Sequence, residues 1–155
     1  MHWITKRGIK INRAATAWLI RRFLDPDATF VFVAAGSVAE EARRLGGTGF
    51  HAPGTAYPAR DMRGRTPFEA LVQDRYGDDP ALRAMSVIVR HADAQELPEV
   101  PEAAGLRLIS GAFPLIALDD AETVERSAFM YDALYAALQQ REERIGRQQA
   151  EAANH

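Results

Sequence analysis

The chain has 155 residues, of which 47% are hydrophobic and 26% are charged, and its formal net charge at pH 7 is −2. This length suits one domain with one buried core, and no apolar stretch approaches the roughly 18 residues of a transmembrane helix. The absence of cysteine excludes disulfides, thiolate metal ligands and cysteine nucleophiles, and it fits a reducing compartment. We therefore expect a cytoplasmic protein with no membrane partner.

Positive charge is concentrated at the amino-terminal end. Residues 1–24 hold six basic residues and no acidic one. Six charges without an interleaved platform of stacking aromatic side chains are few for a nucleic-acid surface. The segment therefore favours a small anion, rather than nucleic acid, as its partner.

The first half of the chain alternates predicted strands and helices. In chain order these are a strand over residues 2–5, a helix over 13–24, a strand over 29–34, a helix over 37–45 and a strand over 49–52. Asn12 is placed to cap the first helix, and Ser37 with Glu40 forms the pattern of a capping box. The aromatic and β-branched run at 29–34 is typical of a strand buried on both faces. This order predicts a small, largely parallel, βαβαβ-like sheet.

The second half is predicted to be helical. It follows a long polar loop over residues 53–66, a length that is often functional in compact domains. Helix starts are indicated at Thr66, Asp79, Pro101 and Asp119. The polar stretch after Gln139 is expected to fray. The sequence thus predicts an α+β fold, with one domain over residues 1–138, a tail over 139–155, and a sheet packed against a helix-rich carboxyl-terminal half.

Five motifs carry a resemblance to a known family. They are W-I-T-K at residues 3–6, N-R-A-A-T-A-W-L-I-R-R-F-L-D-P-D-A at 12–28, I-V-R-H-A-D at 88–93, P-E-A-A-G-L at 101–106 and Y-D-A-L-Y at 131–135. In this order the chain resembles the chromate-resistance domain. That domain occurs behind a DNA-binding segment in a chromate-sensing regulator, or alone as a short protein linked to chromate and oxidative stress. The resemblance implies the short form, and hence the domain's own activity rather than transcriptional control.

The chain departs from the family pattern at several positions. The family often has Asp-Arg where this chain has Asn12-Arg13, and Cys-Pro where it has Thr16-Ala17. It commonly has Asp at the position of His51. These departures weaken any metal site carried over from the family.

One predicted constellation is an oxyanion site. The first predicted helix is preceded by Lys6, Arg7 and Lys10 and has Arg13 in its first turn, where unpaired backbone N–H groups and the helix dipole attract anions. Chromate and sulfate are tetrahedral dianions that suit the planar fork of arginine. We expect Arg13 to neutralise the anion, Arg90 to orient it, and Lys10 to add charge. The alternative is that these basic residues are solvated surface charges.

The second predicted constellation is a metal site. His51, Glu69, His91 and Asp93 supply imidazole and carboxylate groups that suit Mn, Fe or Zn. Three of them have a structural alternative: Glu69 is also the capping-box residue, and His91 and Asp93 point apart unless the helix has ended by Ala92.

The sequence leaves two versions of the function open. In the first, the protein is a stress-response protein that binds a small oxyanion or a redox-active metal, and whether it is an enzyme stays open. In the second, it is a non-catalytic sensor or interaction domain without metal. No Walker or dinucleotide motif occurs, so no nucleotide cofactor is expected. On the last helix, Asp132 is expected to pair with Arg13 or Arg90, and Tyr131, Tyr135 and Leu138 could face a second subunit of a homodimer.

Overall fold

The structure is a computed structural model that describes residues 1–94, 98 and 100–155. Its strands are β1 (His2–Lys6), β2 (Thr29–Val33) and β3 (Thr48–Gly49). Its α-helices are α1 (Asn12–Leu19), α2 (Val38–Leu45), α3 (Pro67–Arg75), α4 (Pro80–Asp93), α5 (Pro101–Gly111), α6 (Phe113–Ile116) and α7 (Asp120–Ala153). A π-helical turn (Ile20–Leu24) extends α1, and a 3-10 turn (Ala35–Ser37) precedes α2. The α+β class predicted from the sequence is confirmed.

The sheet has three parallel strands in the order β2-β1-β3. Trp3 on β1 pairs with Phe30 on β2 and with Thr48 on β3. The central strand β1 is buried, and Ile4 and Thr5 are completely inaccessible. Strand β2 is half-exposed because it lies at the sheet edge, so the prediction that both its faces are buried is wrong.

Helix α1 lies at the centre of the fold and packs against α3, α4 and α7. Every residue of α1 except Arg13 is buried. Small side chains at Ala14, Ala15 and Ala17 let neighbouring helices approach closely, and the ring of Trp18 packs at an angle against Tyr131 and Tyr135 of α7. The single partly exposed side chain of this helix, Arg13, therefore leaves the core at the helix start.

Local capping signals set the starts of the later helices. Thr66 and Glu69 form both hydrogen bonds of a capping box at α3. Asp79 and Asp119 each accept a hydrogen bond from the third residue beyond them, at α4 and α7. The two earlier predictions are wrong: Ser37 makes no capping hydrogen bond at α2, and Asn12 lies inside α1, where Ile11 occupies the capping position.

The long helix α7 continues through the polar segment after Leu138. That segment, which we expected to fray, is helical to Ala153, and its side chains are exposed or partly exposed. The division of the chain at residue 138 stays a prediction. Among the described residues, no helix combines the length and apolar character that a membrane span requires.

Candidate functional site

The turn between β1 and α1 is held by the side chain of Arg13. Its Nη1 atom donates a hydrogen bond to the carbonyl oxygen of Lys6 at 2.9 Å, and its Nη2 atom donates to that of Gly8 at 2.9 Å. Gly8 has a φ of +80°, a left-handed conformation that glycine adopts without strain. Burial lowers the pKa of Arg13, although the carboxylates of Asp120 and Asp93 act in the opposite direction. The guanidinium is thus fixed in place before any ligand arrives.

Asp120, the first residue of α7, joins this turn from the far end of the sequence. Its carboxylate accepts hydrogen bonds of 2.9 Å from the backbone N–H groups of both Gly8 and Ile9. Sequence reasoning missed this contact. One signal was available in the sequence. Asp119 alone suffices to cap α7, so the aspartate that directly follows it is free for another contact.

His51 lies just beyond β3 and has a strained backbone. Its φ is +59°, a left-handed conformation that is uncommon for any residue except glycine. Its N–H group donates to the carbonyl oxygen of Tyr57 at 2.6 Å, which closes the loop that follows β3. Burial lowers the pKa of His51, the nearby charges of Arg13 and Lys6 lower it further, and Asp93 partly opposes them. The imidazole is therefore neutral near pH 7.

These residues meet at the carboxyl end of the sheet, where parallel strands commonly present functional side chains. Thr5 fixes the end of β3 beside β1, because its hydroxyl donates to the carbonyl oxygen of Phe50 at 2.9 Å. The charges of Lys6, Arg13 and Asp93 all act on the imidazole of His51, and the charge of Asp93 also acts on Arg13. We call these four residues the carboxyl-edge site. Such a set can attract an anion, or accept a proton at His51.

A buried amide lies at the first residue of α1, directly before Arg13 in the chain. Asn12 is 3% exposed, and its Oδ1 atom accepts a hydrogen bond from the hydroxyl of Thr16 at 3.2 Å. Its Nδ2 atom is buried without a hydrogen-bond partner in the described residues. If the amide were turned over, Thr16 could satisfy Nδ2 but Oδ1 would then lack its donor. A buried polar atom of this kind calls for a partner such as water or a ligand.

Two of the predicted site residues lie elsewhere, in a pairing between α3 and α4. The Nη1 atom of Arg90 is 2.8 Å from Oε1 of Glu69, which is also the capping-box residue of α3. The Nδ1 atom of His91 is 2.9 Å from the carbonyl oxygen of Pro98. Lys10 is exposed, and the described part of the chain gives it no hydrogen bond or ion pair. Of the predicted anion-binding residues, Lys6 and Arg13 belong to the carboxyl-edge site, whereas Lys10 and Arg90 do not.

The predicted metal ligands divide in the same way. His51 and Asp93 belong to the carboxyl-edge site, whereas Glu69 and His91 have the contacts just described. Within residues 1–94, 98 and 100–155, no three His, Asp or Glu side chains are arranged to hold a metal ion. The four predicted ligands therefore do not form one site there.

The remaining predicted contacts are corrected by the structure. Asp132 accepts a hydrogen bond from Nε1 of Trp18 at 2.9 Å and lies 3.6 Å from Nε of Arg22, so it pairs with neither Arg13 nor Arg90. Three residues expected to be available to a second subunit are buried within the chain itself, namely Tyr131, Tyr135 and Leu138.

Comparison with known proteins agrees with the motifs of the sequence. A family model described as the C-terminal domain of ChrB matches residues 3–138. Protein ChrB of Cupriavidus metallidurans strain CH34 is 30% identical over 138 residues, which cover 86% of this chain and 39% of the relative. The chain thus spans well under half the length of this relative. No solved structure matches at a significant level. Because the family model covers nearly the whole chain, the chain belongs to the ChrB C-terminal domain family, the chromate-resistance family that its motifs indicate.

Proposed function

We propose that this domain acts in the cytoplasm in resistance to chromate and oxidative stress, by binding a small dianionic oxyanion such as chromate or sulfate at the carboxyl-edge site. The observation that carries the proposal is the convergence of Lys6, Arg13 and His51 beside the start of α1. Family membership supplies the link to chromate. In this version the domain binds its ligand and performs no chemistry on it.

Several features of the site favour an anion. Helix α1 begins without a side-chain cap, so its first N–H groups keep their partial positive charge. In the part of the chain that the structure describes, the Nε–H group of Arg13 has no partner, because its hydrogen bonds to carbonyl oxygens use Nη1 and Nη2. The buried Nδ2 group of Asn12 is a further donor without an acceptor. A tetrahedral oxyanion has the acceptors that such donors lack.

Two carboxylates act on Arg13, and that of Asp120 is already held by N–H groups of the turn. Asp93 makes the proposal testable, because its carboxylate acts on both Arg13 and His51. A bound dianion would be repelled by it, whereas a bound metal cation would use it as a ligand. Asp93→Asn should therefore tighten sulfate binding a few-fold, as expected for removal of a like charge near a partly exposed site. The same substitution should weaken any metal binding.

The experiment is calorimetric titration of the purified chain with sulfate and with chromate. Lys6→Gln should weaken binding about tenfold, which corresponds to the loss of one charge-assisted contact. Arg43→Gln removes the same charge from an exposed position on α2 and should leave the affinity unchanged. Arg13 is a poorer choice, since its substitution also disrupts the turn. Equal affinities in the parent and Lys6→Gln proteins would refute the proposed site.

A second candidate is binding of a redox-active metal ion such as Mn, Fe or Zn. It is favoured by His51, whose lowered pKa keeps the imidazole in its neutral, metal-binding form beside the carboxylate of Asp93. Elemental analysis of protein purified without chelators tests it. A metal content near one ion per chain that falls in Asp93→Asn would favour this candidate over the oxyanion site.

A further inference from the structure

An apolar face is formed by large exposed side chains of the helix-rich half. It is formed by α5, by α6 with the residues just after it, and by the middle of α7. Its large side chains are 53% to 91% exposed. They are Leu108, Ile109, Leu115, Ile116, Leu118 and Phe129. We call these six residues the apolar face.

A groove lies between α5, α6 and α7, and two residues of the apolar face, Ile109 and Ile116, belong to its lining. It has a volume of about 240 Å³, and apolar side chains that include Ile109, Phe113, Ile116 and Met130 line it. Phe129, the neighbour of Met130 on α7, is 83% exposed. An exposed aromatic ring next to a groove residue gives one chain two parts that can complement each other in an isologous contact.

The area of the apolar face matches one side of a protein interface. A standard interface buries about 800 Å² on each partner, and six large apolar side chains exposed to this degree supply an area of that order. Apolar patches on soluble monomers are usually limited to a few hundred Å². The face is thus larger than an unpartnered surface normally is.

The charges around the face favour an identical partner. On α7, Glu122 pairs with Arg126 at 3.1 Å and Glu125 pairs with Arg21 at 2.5 Å. Glu102 on α5 likewise pairs with Arg141 at 2.8 Å. Binding of a different, oppositely charged protein would require unpaired charges on this face. In a dimer of identical chains, by contrast, the two-fold axis brings identical charges of the two copies near each other, and they repel. Charges that are already neutralised within the chain remove that repulsion.

Helix α7 also offers a place for close approach. Ala133, Ala136 and Ala137 are exposed and lie one to two turns after Phe129. Small side chains at a helix crossing let two helices approach closely. Two copies of α7 that cross there would place each Phe129 towards the groove of the other copy.

We propose that two copies of this chain associate through the apolar face in a two-fold dimer, with Phe129 of each copy in the groove of the other. Tyr131, Tyr135 and Leu138, the residues that the sequence suggested for such a contact, are buried inside each chain and take no part in it. The proposal is independent of the carboxyl-edge site.

Sedimentation equilibrium of the full chain over a wide range of concentration tests the proposal. The parent protein should be dimeric, and Phe129→Glu should weaken association by at least about tenfold, because a buried aromatic anchor is replaced by a charge. Leu115→Glu, at an equally exposed position, should have a similar effect. The control is Val87→Glu on α4, an exposed apolar residue outside the face, which should remain dimeric.

Because these positions are exposed, the substitutions should leave the fold intact, and far-UV circular dichroism of each variant checks that it is. A parent protein that is monomeric at every concentration overturns the proposal. If that monomer binds the part of the longer relative that precedes its matching domain, the partner of the apolar face is that part of the chain and not a second copy. A dimer that Phe129→Glu and Leu115→Glu leave intact overturns it as well, because the contact then uses another surface.

Discussion

His51 combines a left-handed backbone with a partly buried imidazole next to two cations. It is the one described residue other than glycine with a positive φ. Strained conformations persist where the surrounding structure fixes them, and they concentrate at functional positions. Burial and the charges of Arg13 and Lys6 oppose protonation of the ring, and the charge of Asp93 and a backbone hydrogen bond only partly offset them. The folded state therefore binds this proton less readily than the unfolded chain does.

This difference predicts how stability depends on pH. The folded pKa of His51 lies below its ordinary value of 6.5, so below that pH the unfolded chain takes up a proton that the folded chain does not. The free energy of unfolding should fall as the pH falls from about 6.5 towards the folded pKa. His51→Asn should reduce this loss, because asparagine does not titrate and tolerates a left-handed backbone.

Urea unfolding of the parent and variant proteins at several pH values measures the effect. His2→Asn removes an exposed imidazole at the other end of β1 and serves as the matched control. Identical pH profiles for the parent and His51→Asn proteins would contradict the assigned environment of His51.

At the scale of elements, Glu69 joins the start of α3 to the end of α4. Its Oε1 atom accepts a hydrogen bond from the N–H group of Thr66 at 3.1 Å and lies 2.8 Å from Nη1 of Arg90. Both side chains of the ion pair are less than one-third exposed, so solvent screens the pair only in part. The Nε atom of Arg90 is buried without a partner in the described residues, so this arginine depends on Glu69 for its compensation.

Two substitutions at Glu69 separate the cap from the ion pair. Glu69→Gln keeps an acceptor for the capping box but removes the charge opposite Arg90, and we expect a loss of about 1 kcal/mol in the free energy of unfolding. Glu69→Ala removes both contacts, and we expect a loss of about 2–3 kcal/mol.

Urea denaturation measures both losses. Thr66→Ala removes the capping hydroxyl and leaves the ion pair, and we expect it to lower the free energy of unfolding by about 1 kcal/mol. Sulfate affinity should be unchanged in Glu69→Gln, because Glu69 and Arg90 lie outside the carboxyl-edge site. Equal stability of Glu69→Gln and Glu69→Ala would show that the cap contributes nothing.

At the scale of the whole molecule, what the sequence predicted depends on how far apart the contacting residues lie in the chain. The caps at Thr66, Asp79 and Asp119 were predictable because each is set by residues three positions apart. The alternation of strands and helices was enough to predict a small parallel sheet. The exposure of β2 was not predictable, because it depends on strand order, which a periodicity does not encode.

Site residues followed the same rule. Arg13 was found because it lies in a helix start beside other basic residues. Its partner Asp120 was missed, since the hydrogen bonds to Gly8 and Ile9 join positions more than 100 residues apart. Arg90 was assigned to the anion on sequence alone, and its contact with Glu69 emerged only when α3 and α4 were placed side by side.

The carboxyl-terminal part of α7 tests where the folded unit ends. Leu138, at 2% exposure, is the last buried residue, and Arg141 makes the last described ion pair with the body of the protein. Deletion of residues 142–155 should therefore change the free energy of unfolding by less than about 0.5 kcal/mol, as expected for exposed positions without buried contacts. Leu138→Ala, by contrast, should cost about 2–5 kcal/mol, because it opens a cavity between α7 and its neighbours. Urea unfolding of the two variants, compared with the parent, gives both values. A large loss of free energy of unfolding on deletion would mean that the exposed end of α7 stabilises the fold through contacts beyond those of a single chain. The predicted domain boundary after residue 138 would then be wrong.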